Sequence, residues 1–335
     1  MVKLKKTMKK IGKIFLCFLL VVALVNILAP LFCKKPDGKY AKNLQQTEFT
    51  SETAGAERIR CIDDNEEALL WRLRMIGTAK ESIVLSTFDL RADENGTKLL
   101  AALNHAAAKG VKIQLLIDGI YQQLFLAGSS DFQALAAHEN VEVGVYNPVT
   151  PANLFKLNYR MHDKYVIIDE KMYLLGGRNS NDIFLGDQTE DINVDRDILV
   201  YDTSEGKGES LLQLEDYFHK IWNEGCVSIR TRKQSSKYTD QYQNMEELYT
   251  SLLEKYNDIE TYSTWEKDTE EANKITLIHN GTQAGRKTRP SGFLRAQRPH
   301  LPRRAAQKHG FPSGKMVSPC LVSVTMMRKR ITTSW

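Results

Sequence analysis

The longest apolar stretch of the chain lies near its N-terminus. Residues 14–33, IFLCFLLVVALVNILAPLFC, carry no charge and are interrupted only by Asn26 and Pro30. This length matches a helix that crosses the hydrocarbon core of a bilayer. Six lysines precede the stretch and favour a cytoplasmic N-terminus, although four more lysines follow it closely. We therefore expect residues 1–35 to form an uncleaved single-pass anchor, with a cleaved signal peptide as the alternative.

After a polar linker at 36–55, apolar residues recur with the periods of alternating helices and strands. Helical spacing covers NEEALLWRLRMIGTAK, TKLLAALNHAAAKG and ESLLQLEDYFHKIWNEG, and strand patterns cover SIVLSTF, VKIQLLID and VEVGVY. Strands that alternate with helices predict an α/β domain whose sheet is covered on both faces. We expect a mixed, largely parallel sheet within residues 56–285. Asp89 and Asp118 stand where two of the strands end, as turn residues often do.

A later pair of apolar runs, KYVIID and KMYLLGG, is separated by three polar residues at 169–171 and predicts a hairpin. His162 and Lys164 lie two positions apart at its start, so on an extended chain their side chains share one face. Gly177 follows the second run and lets backbone or ligand approach closely. Asn179 comes next. The sequence thus presents an imidazole, an ammonium and an amide near one strand end.

This combination suits a phosphoryl group. A neutral imidazole can attack phosphorus, while a lysine and an asparagine stabilise charge on the other phosphate oxygens. We expect no metal, because lysine is a poor ligand and His162 has no partner at ligand spacing. The five cysteines form no CxxC pair, so neither a zinc site nor a disulfide framework is indicated. No cofactor is expected.

The stretch RMHDKYVIID…LLGGRNSNDIF resembles the HKD signature of the phospholipase D superfamily, and is particularly similar to the cardiolipin synthase C type. The resemblance implies an α/β/α sandwich in which His162 is the nucleophile that becomes phosphatidylated. It also implies that Lys164, Asn179 and Gly177 bind the substrate phosphate. Asp169 matches the signature aspartate and completes the predicted catalytic set of His162, Lys164 and Asp169, with a role that is more structural than chemical.

Members of this type carry two such halves, and here only one is recognisable. Of seven histidines, only His162 has a lysine two positions later. KITLIHNG (274–281) is similar to the first strand of a second half, but residues 286–335 then contain twelve basic residues and no acidic one. We interpret this basic tail as disordered, or as the product of a frameshift. A homodimer could supply the second HKD motif.

Charge distribution bears on the substrate. The whole chain has a net charge of +5, but residues 1–285 hold 34 basic against 41 acidic residues. An acidic body disfavours nucleic acid, since phosphate backbones are bound by clustered Lys and Arg. The leading hypothesis is a phosphatidyltransferase in the bacterial plasma membrane that uses phosphatidylglycerol or phosphatidylethanolamine. The alternatives are a homodimeric phosphodiesterase or nuclease, and a catalytically dead homologue that binds lipid.

Overall fold

The computed structural model describes residues 2–28, 48, 50–186, 192–231, 236–278 and 321–325. Its first element is helix α1 (Val2–Leu28). Within α1, Leu4–Leu28 reach a mean hydropathy of 2.6, and in the described ranges this is the one helix long and apolar enough to cross a membrane. Most of the expected linker at 36–55 lies outside the described residues.

Within these described ranges, eleven strands and six further helices follow. The strands are β1 (Glu57–Ile62), β2 (Ser82–Thr87), β3 (Lys112–Asp118), β4 (Val141–Tyr146), β5 (Lys164–Ile168), β6 (Met172–Gly176), β7 (Asp197–Asp202), β8 (Val227–Arg230), β9 (Glu270–Glu271), β10 (Lys274–Ile278) and β11 (Leu321–Thr325). The helices are α2 (Asn65–Gly77), α3 (Glu94–Ala108), α4 (Gly119–Tyr121), α5 (Ser130–Leu135), α6 (Glu209–Trp222) and α7 (Thr239–Lys255). A π-helical turn (Gln122–Leu126) continues α4, and 3₁₀ turns cover Pro151–Lys156 and Ser236–Tyr238.

Nine strands form one mixed sheet in the order β8-β4-β3-β2-β5-β6-β7-β1-β9. The expectation of a mixed sheet is confirmed, but its description as largely parallel is wrong. Only β2, β3 and β4 run parallel to one another, and every other neighbouring pair is antiparallel. The reason is connection length: helices cross over between β2, β3 and β4, whereas a tight turn joins β5 to β6 and reverses the chain.

The turn between β5 and β6 is formed by Asp169 and Glu170, whose φ angles are 52° and 51°. The N–H of Lys171 donates to the carbonyl of Ile168 at 2.9 Å and closes the turn. Two successive positive φ values twist the chain as a two-stranded antiparallel ribbon requires. The predicted hairpin is therefore confirmed.

Each face of the sheet carries its own hydrophobic core, which confirms the predicted three-layer architecture. Helices α2, α3, α5 and α7 cover one face. Helix α6 covers the other through the predicted apolar stripe, all of which is buried: Leu211, Leu214, Phe218 and Ile221. Helix α6 ends at Trp222 with Asn223 as its C-cap.

Strand β10 lies beside α6 and pairs antiparallel with β11 in a separate two-stranded sheet. Strand β11 falls inside the basic tail predicted at 286–335. The remaining residues of that tail lie outside the described residues. The frameshift interpretation stays a prediction.

Candidate active site

The predicted site residues, apart from Asp169, meet at one edge of the sheet. Lys164 begins β5 and pairs with Thr87, the last residue of β2. Gly177 directly follows β6, the other neighbour of β5. Beyond it, the N–H of Ser180 donates to the carbonyl of Asp89 at 2.9 Å. These contacts bring the end of β2, the start of β5 and the loop after β6 together.

His162 is half-buried just before β5. Its ring packs edge-on against Phe88, with 4.6 Å between ring centroids. Burial, helped by the positive charge of Lys164, lowers the pKa of His162 from 6.5 to about 4. Both causes disfavour the imidazolium form. His162 is therefore a neutral imidazole at neutral pH, which is the form that can act as a nucleophile.

Lys164 is buried, with only 5% of its surface exposed. Its Nζ donates to the carbonyl oxygen of His162 at 2.8 Å and lies 5.2 Å from the ring centroid of Phe88. Burial lowers the pKa of Lys164 from 10.5 to about 8, although the nearby charges of Asp163 and Asp195 act in the opposite direction. Lys164 thus stays largely protonated at neutral pH and places a positive charge beside His162.

Asn179 is buried, and its side-chain oxygen has no hydrogen-bond partner within the described part of the chain. An unsatisfied buried amide oxygen is uncommon and is a feature of sites that bind a further group, from which it would accept a hydrogen bond. The Nδ2 group of the same amide is the donor that can reach a phosphate oxygen. Its neighbour Gly177 has a different role from the one expected. A Cβ at Gly177 would lie 2.0 Å from Oδ2 of Asp195, so the absence of a side chain admits this carboxylate.

The structure separates Asp169 from the other predicted catalytic residues. Asp169 follows the opposite end of β5, about 16 Å from Lys164 at the rise of an extended strand. Its carboxylate accepts hydrogen bonds at 2.8 Å from the backbone N–H groups of Lys80, Glu81 and Ser82. The Asp169 side chain therefore fixes the start of β2, which is a structural contact of the kind expected for this residue. Its membership of the catalytic set stays a prediction, and its distance from Lys164 does not support a direct part in the chemistry.

Between His162 and Lys164, the side chain of Asp163 points to the other face of the sheet, as strand alternation requires. It is fully buried, and Oδ2 accepts a hydrogen bond from the Tyr217 hydroxyl at 2.7 Å. Burial raises the pKa of Asp163 to about 7, while Tyr217 and Lys164 oppose the rise. Sequence reasoning did not assign this residue a role.

A buried ion pair fixes the chain that leads into the site. Asp118 is fully buried and accepts from Arg160 Nη1 and from the N–H of Met161, both at 3.2 Å. It also accepts from the N–H of Ile120 at 2.9 Å and so caps α4. Burial raises the pKa of Asp118 despite these partners. The strand-end position was visible in the sequence, but the pairing with Arg160 was not.

A second buried network supports the loop after β6. Asp197 Oδ2 lies 2.9 Å from Arg72 Nη2 and 3.4 Å from Arg178 Nη1. Arg178 also donates to Oδ1 of Asn65 at 2.9 Å. One signal could have revealed Asp197, since it alternates with the buried Leu199 along β7 and must face inward.

The resulting site can bind an anion next to a neutral nucleophile. Three groups, the imidazole of His162, the ammonium of Lys164 and the amide of Asn179, lie at one edge of the sheet. In the described ranges, no group of three or more His, Cys, Asp or Glu side chains is placed to hold a metal ion. The arrangement fits attack by the His162 imidazole on a phosphodiester, because the ammonium of Lys164 can stabilise the charge on the phosphate oxygens.

Comparisons with known proteins find similar sequences and folds. The family model described as "Cardiolipin synthase, PLD-like domain" matches residues 73–222. Cardiolipin synthase C of Escherichia coli K12 is 26% identical over 183 residues, which are 52% of this chain and 36% of that protein. Cardiolipin synthase B of Salmonella typhi is 34% identical over 131 residues, which are 36% of this chain and 29% of that protein.

Among solved structures, the phospholipase D family member Nuc from Salmonella typhimurium is similar with 16% identity and a TM-score of 0.38. The match covers 52% of this chain and 99% of Nuc. With the two cardiolipin synthases, by contrast, the chain matches about a third of the length of each relative.

Proposed function

The chain belongs to the phospholipase D superfamily, and from this premise we propose that it is a membrane-anchored phosphatidyltransferase of the cardiolipin synthase kind. The observation that carries the proposal is the pairing of a neutral, half-buried His162 with the buried ammonium of Lys164. The proposed substrate is a phospholipid, phosphatidylglycerol or phosphatidylethanolamine. No cofactor takes part in the proposed reaction.

In the first step, a ring nitrogen of His162 attacks the phosphorus of the phospholipid. The nitrogen–phosphorus bond forms, the bond from phosphorus to the headgroup oxygen breaks, and the headgroup alcohol leaves with a proton from a general acid. Lys164 and Asn179 hold the non-bridging oxygens and stabilise the charge that they gain. Burial makes these contacts stronger than they would be in water.

In the second step, an acceptor alcohol attacks the phosphohistidine. Its oxygen bonds to phosphorus, the nitrogen–phosphorus bond breaks, and the acceptor proton passes to a general base. This chain has one HKD motif, so we propose that a second copy in a two-fold homodimer supplies the base and the acid. Its neutral His162 accepts the proton of the acceptor alcohol, its protonated Lys164 donates the proton to the leaving headgroup, and transfer of the proton from this His162 back to this Lys164 restores both groups. Ile192 and Val194, which are 50% and 75% exposed just before β7, offer apolar surface to such a copy.

We further propose that residues 1–35 anchor the protein in the bacterial plasma membrane, with the N-terminus in the cytoplasm. In this arrangement residues 36–55 are a linker and 56–285 the catalytic half. The lysines before α1 and its apolar length support the anchor.

A homodimeric phosphodiesterase that cuts nucleic acid is the second candidate. One observation favours it: the single HKD motif, which suits a small two-fold dimer. The excess of acidic residues in 1–285 argues against it, because nucleic acid binding draws on clustered positive charge. The third alternative, an inactive lipid-binding homologue, predicts binding without any covalent adduct.

Trapping of the covalent adduct tests these proposals, with a denaturing quench at mildly alkaline pH, where the nitrogen–phosphorus bond of a phosphohistidine is stable. The full chain in mild detergent receives phosphatidylglycerol or phosphatidylethanolamine with a labelled phosphatidyl group, beside a His162→Asn variant. We expect a labelled adduct in the unchanged protein alone, in fractions that sediment as a dimer. Absence of the adduct from folded protein contradicts the transferase. Activity from a strict monomer contradicts the dimer, and cleavage of DNA without lipid turnover favours the second candidate.

A further inference from the structure

Exposed apolar side chains are unevenly distributed over the domain. Outside α1, eight large apolar side chains are exposed in the described ranges, and four of them cluster in the segments that follow β3 and β4. These four, which we call the apolar patch, are Leu124, Phe125, Val149 and Phe155, with exposed fractions of 67%, 38%, 40% and 40%. Single exposed apolar residues are ordinary, whereas a cluster indicates an interaction surface.

The two segments of the patch are neighbours. Asp118, at the end of β3, pairs with Tyr146, at the end of β4. At the start of the first segment, a Cβ on Gly119 would lie 2.6 Å from the carbonyl oxygen of Asn147 and 2.6 Å from Cα of Pro148. The chains after β3 and β4 therefore leave the sheet in direct contact, and they leave it at the edge that holds His162.

Helix α1 packs against the second segment. Asn26 Nδ2 donates to the carbonyl of Leu154 at 2.8 Å, and its Oδ1 accepts from the N–H of Leu157 at 3.0 Å. The ring of Phe18 meets Phe155 edge-on, with centroids 6.3 Å apart. Asn26, the polar residue that interrupts the apolar part of α1, thus links the helix to the domain. A bilayer that contains α1 lies beside the apolar patch.

The backbone of the first segment and the charge of the second add to this picture. It is a π-helical turn, Gln122–Leu126, and such turns occur often at functional sites. In the second segment, the exposed Lys156 stands beside Phe155. A basic residue next to apolar ones is the pattern of segments that rest in the headgroup region of anionic lipid.

Aromatic rings connect the patch to the candidate nucleophile. The ring of Phe125 lies 5.8 Å from that of Tyr121, which lies 4.2 Å from Phe88. Phe88 in turn packs on His162 at 4.6 Å. This row offers an apolar surface between the bilayer and the site, along which the glycerol and acyl portion of a phospholipid could lie while its phosphate reaches His162.

We propose that the apolar patch is a membrane-docking surface, which inserts into the lipid next to α1 and turns the catalytic edge of the sheet toward the bilayer. The proposal rests on membrane anchoring by α1, which is part of the proposed function, but not on catalysis. A second copy of this chain is the competing occupant of the patch.

Fluorescence quenching in nanodiscs tests the docking. Single-cysteine versions of the full chain, with the other native cysteines replaced by alanine, carry an environment-sensitive probe. Reporters are Leu124→Cys and Val149→Cys, the latter in case the former does not fold. Native Cys17 in α1 reports anchoring, and Leu212→Cys, an equally apolar site on α6 that is 48% exposed, is the matched control. Lipids with brominated acyl chains quench only probes that lie among them.

We expect the probes at 124 and 149 to shift to shorter wavelength and to lose intensity with brominated lipid, as the probe at 17 does, while the probe at 212 does neither. If the probe at 17 is quenched and those at 124 and 149 are not, the docking surface is refuted while the anchor stands. A wavelength shift at 124 without quenching indicates a second protein copy and also refutes it. An unquenched probe at 17 refutes the anchor and the docking together.

Discussion

Replacement of Lys164 by methionine should make the protein more stable. The pKa of Lys164 falls from 10.5 to about 8 in the folded protein. At about 1.4 kcal/mol for each tenfold change, the charged ammonium destabilises the folded state by ~3 kcal/mol. Methionine has a similar length and no charge, but it loses the hydrogen bond from Nζ to the carbonyl of His162, which contributes about 1 kcal/mol. The expected net gain is about 2 kcal/mol.

The gain must depend on pH in a particular way. Because the folded pKa of Lys164 is lower than the unfolded one, the lysine is charged in both states below about 8, and the destabilisation is fully present there. Between about 8 and 10.5 the folded protein loses the proton first, so the destabilisation declines. The advantage of Lys164→Met should therefore be largest near neutral pH and shrink toward pH 10.5.

Thermal unfolding of the full chain in mild detergent measures this effect. We expect Lys164→Met to raise the midpoint by about 5 °C near neutral pH. Lys112→Met is the matched control, since Lys112 is an exposed lysine on strand β3, and its replacement should leave the midpoint nearly unchanged. A Lys164→Met protein that is no more stable than the original refutes the reasoning. A gain that is the same at pH 10.5 assigns the effect to packing instead of charge.

Three further predictions concern the site and its supports. The kcat/KM for lipid turnover should rise through about pH 4 as His162 loses its proton and fall above about pH 8 as Lys164 loses its own; an acid limb near 6.5 would contradict the lowered pKa of His162. Asp169→Ala should destabilise the protein by about 2 kcal/mol, because three backbone N–H groups lose their acceptor, while kcat per folded molecule is unchanged. If kcat falls while the stability in denaturant stays that of the unchanged protein, Asp169 has a catalytic role after all. Asp197→Asn should destabilise the folded protein by about 3 kcal/mol, since two buried arginines lose their counter-charge. The control is Asp63→Asn, which removes a carboxylate from an exposed ion pair with an arginine; in denaturant unfolding this variant should match the unchanged protein.

The position of Lys164 suggests why a charged side chain occurs at a buried place where it lowers the stability of the folded protein. Burial is the main cause of the lowered pKa of His162, and the positive charge of Lys164 adds to it. The same charge lies next to the place where phosphate oxygens would bind. A site that holds a charge in a buried position before substrate arrives need not reorganise when charge develops in the transition state. Lower stability is the physical consequence of that arrangement.

The local pattern of apolar and polar residues was enough to predict the strands and helices of the domain. The apolar alternation of residues 82–87, 112–118 and 141–146 predicts strands, and the stripe from Leu211 to Ile221 predicts the buried face of α6. These predictions hold because burial at regular spacing is a property of neighbouring residues. The spacing of His162, Lys164 and Asn179 around a hairpin likewise places them together, since a tight turn brings its two strands side by side.

Tertiary structure alone decided strand direction, the hydrogen-bond partners of Asp169 and the buried ion pairs. Antiparallel pairing of β7 with β1, or the contact of Asp169 with the backbone at 80–82, joins residues far apart in the chain. Asp118 with Arg160 and Asp197 with Arg72 are paired for the same reason. A carboxylate has the same appearance in sequence whether it meets a phosphate, a backbone N–H or an arginine. Its partner is set by which segments fold together, and that information lies in the packing of the whole sheet.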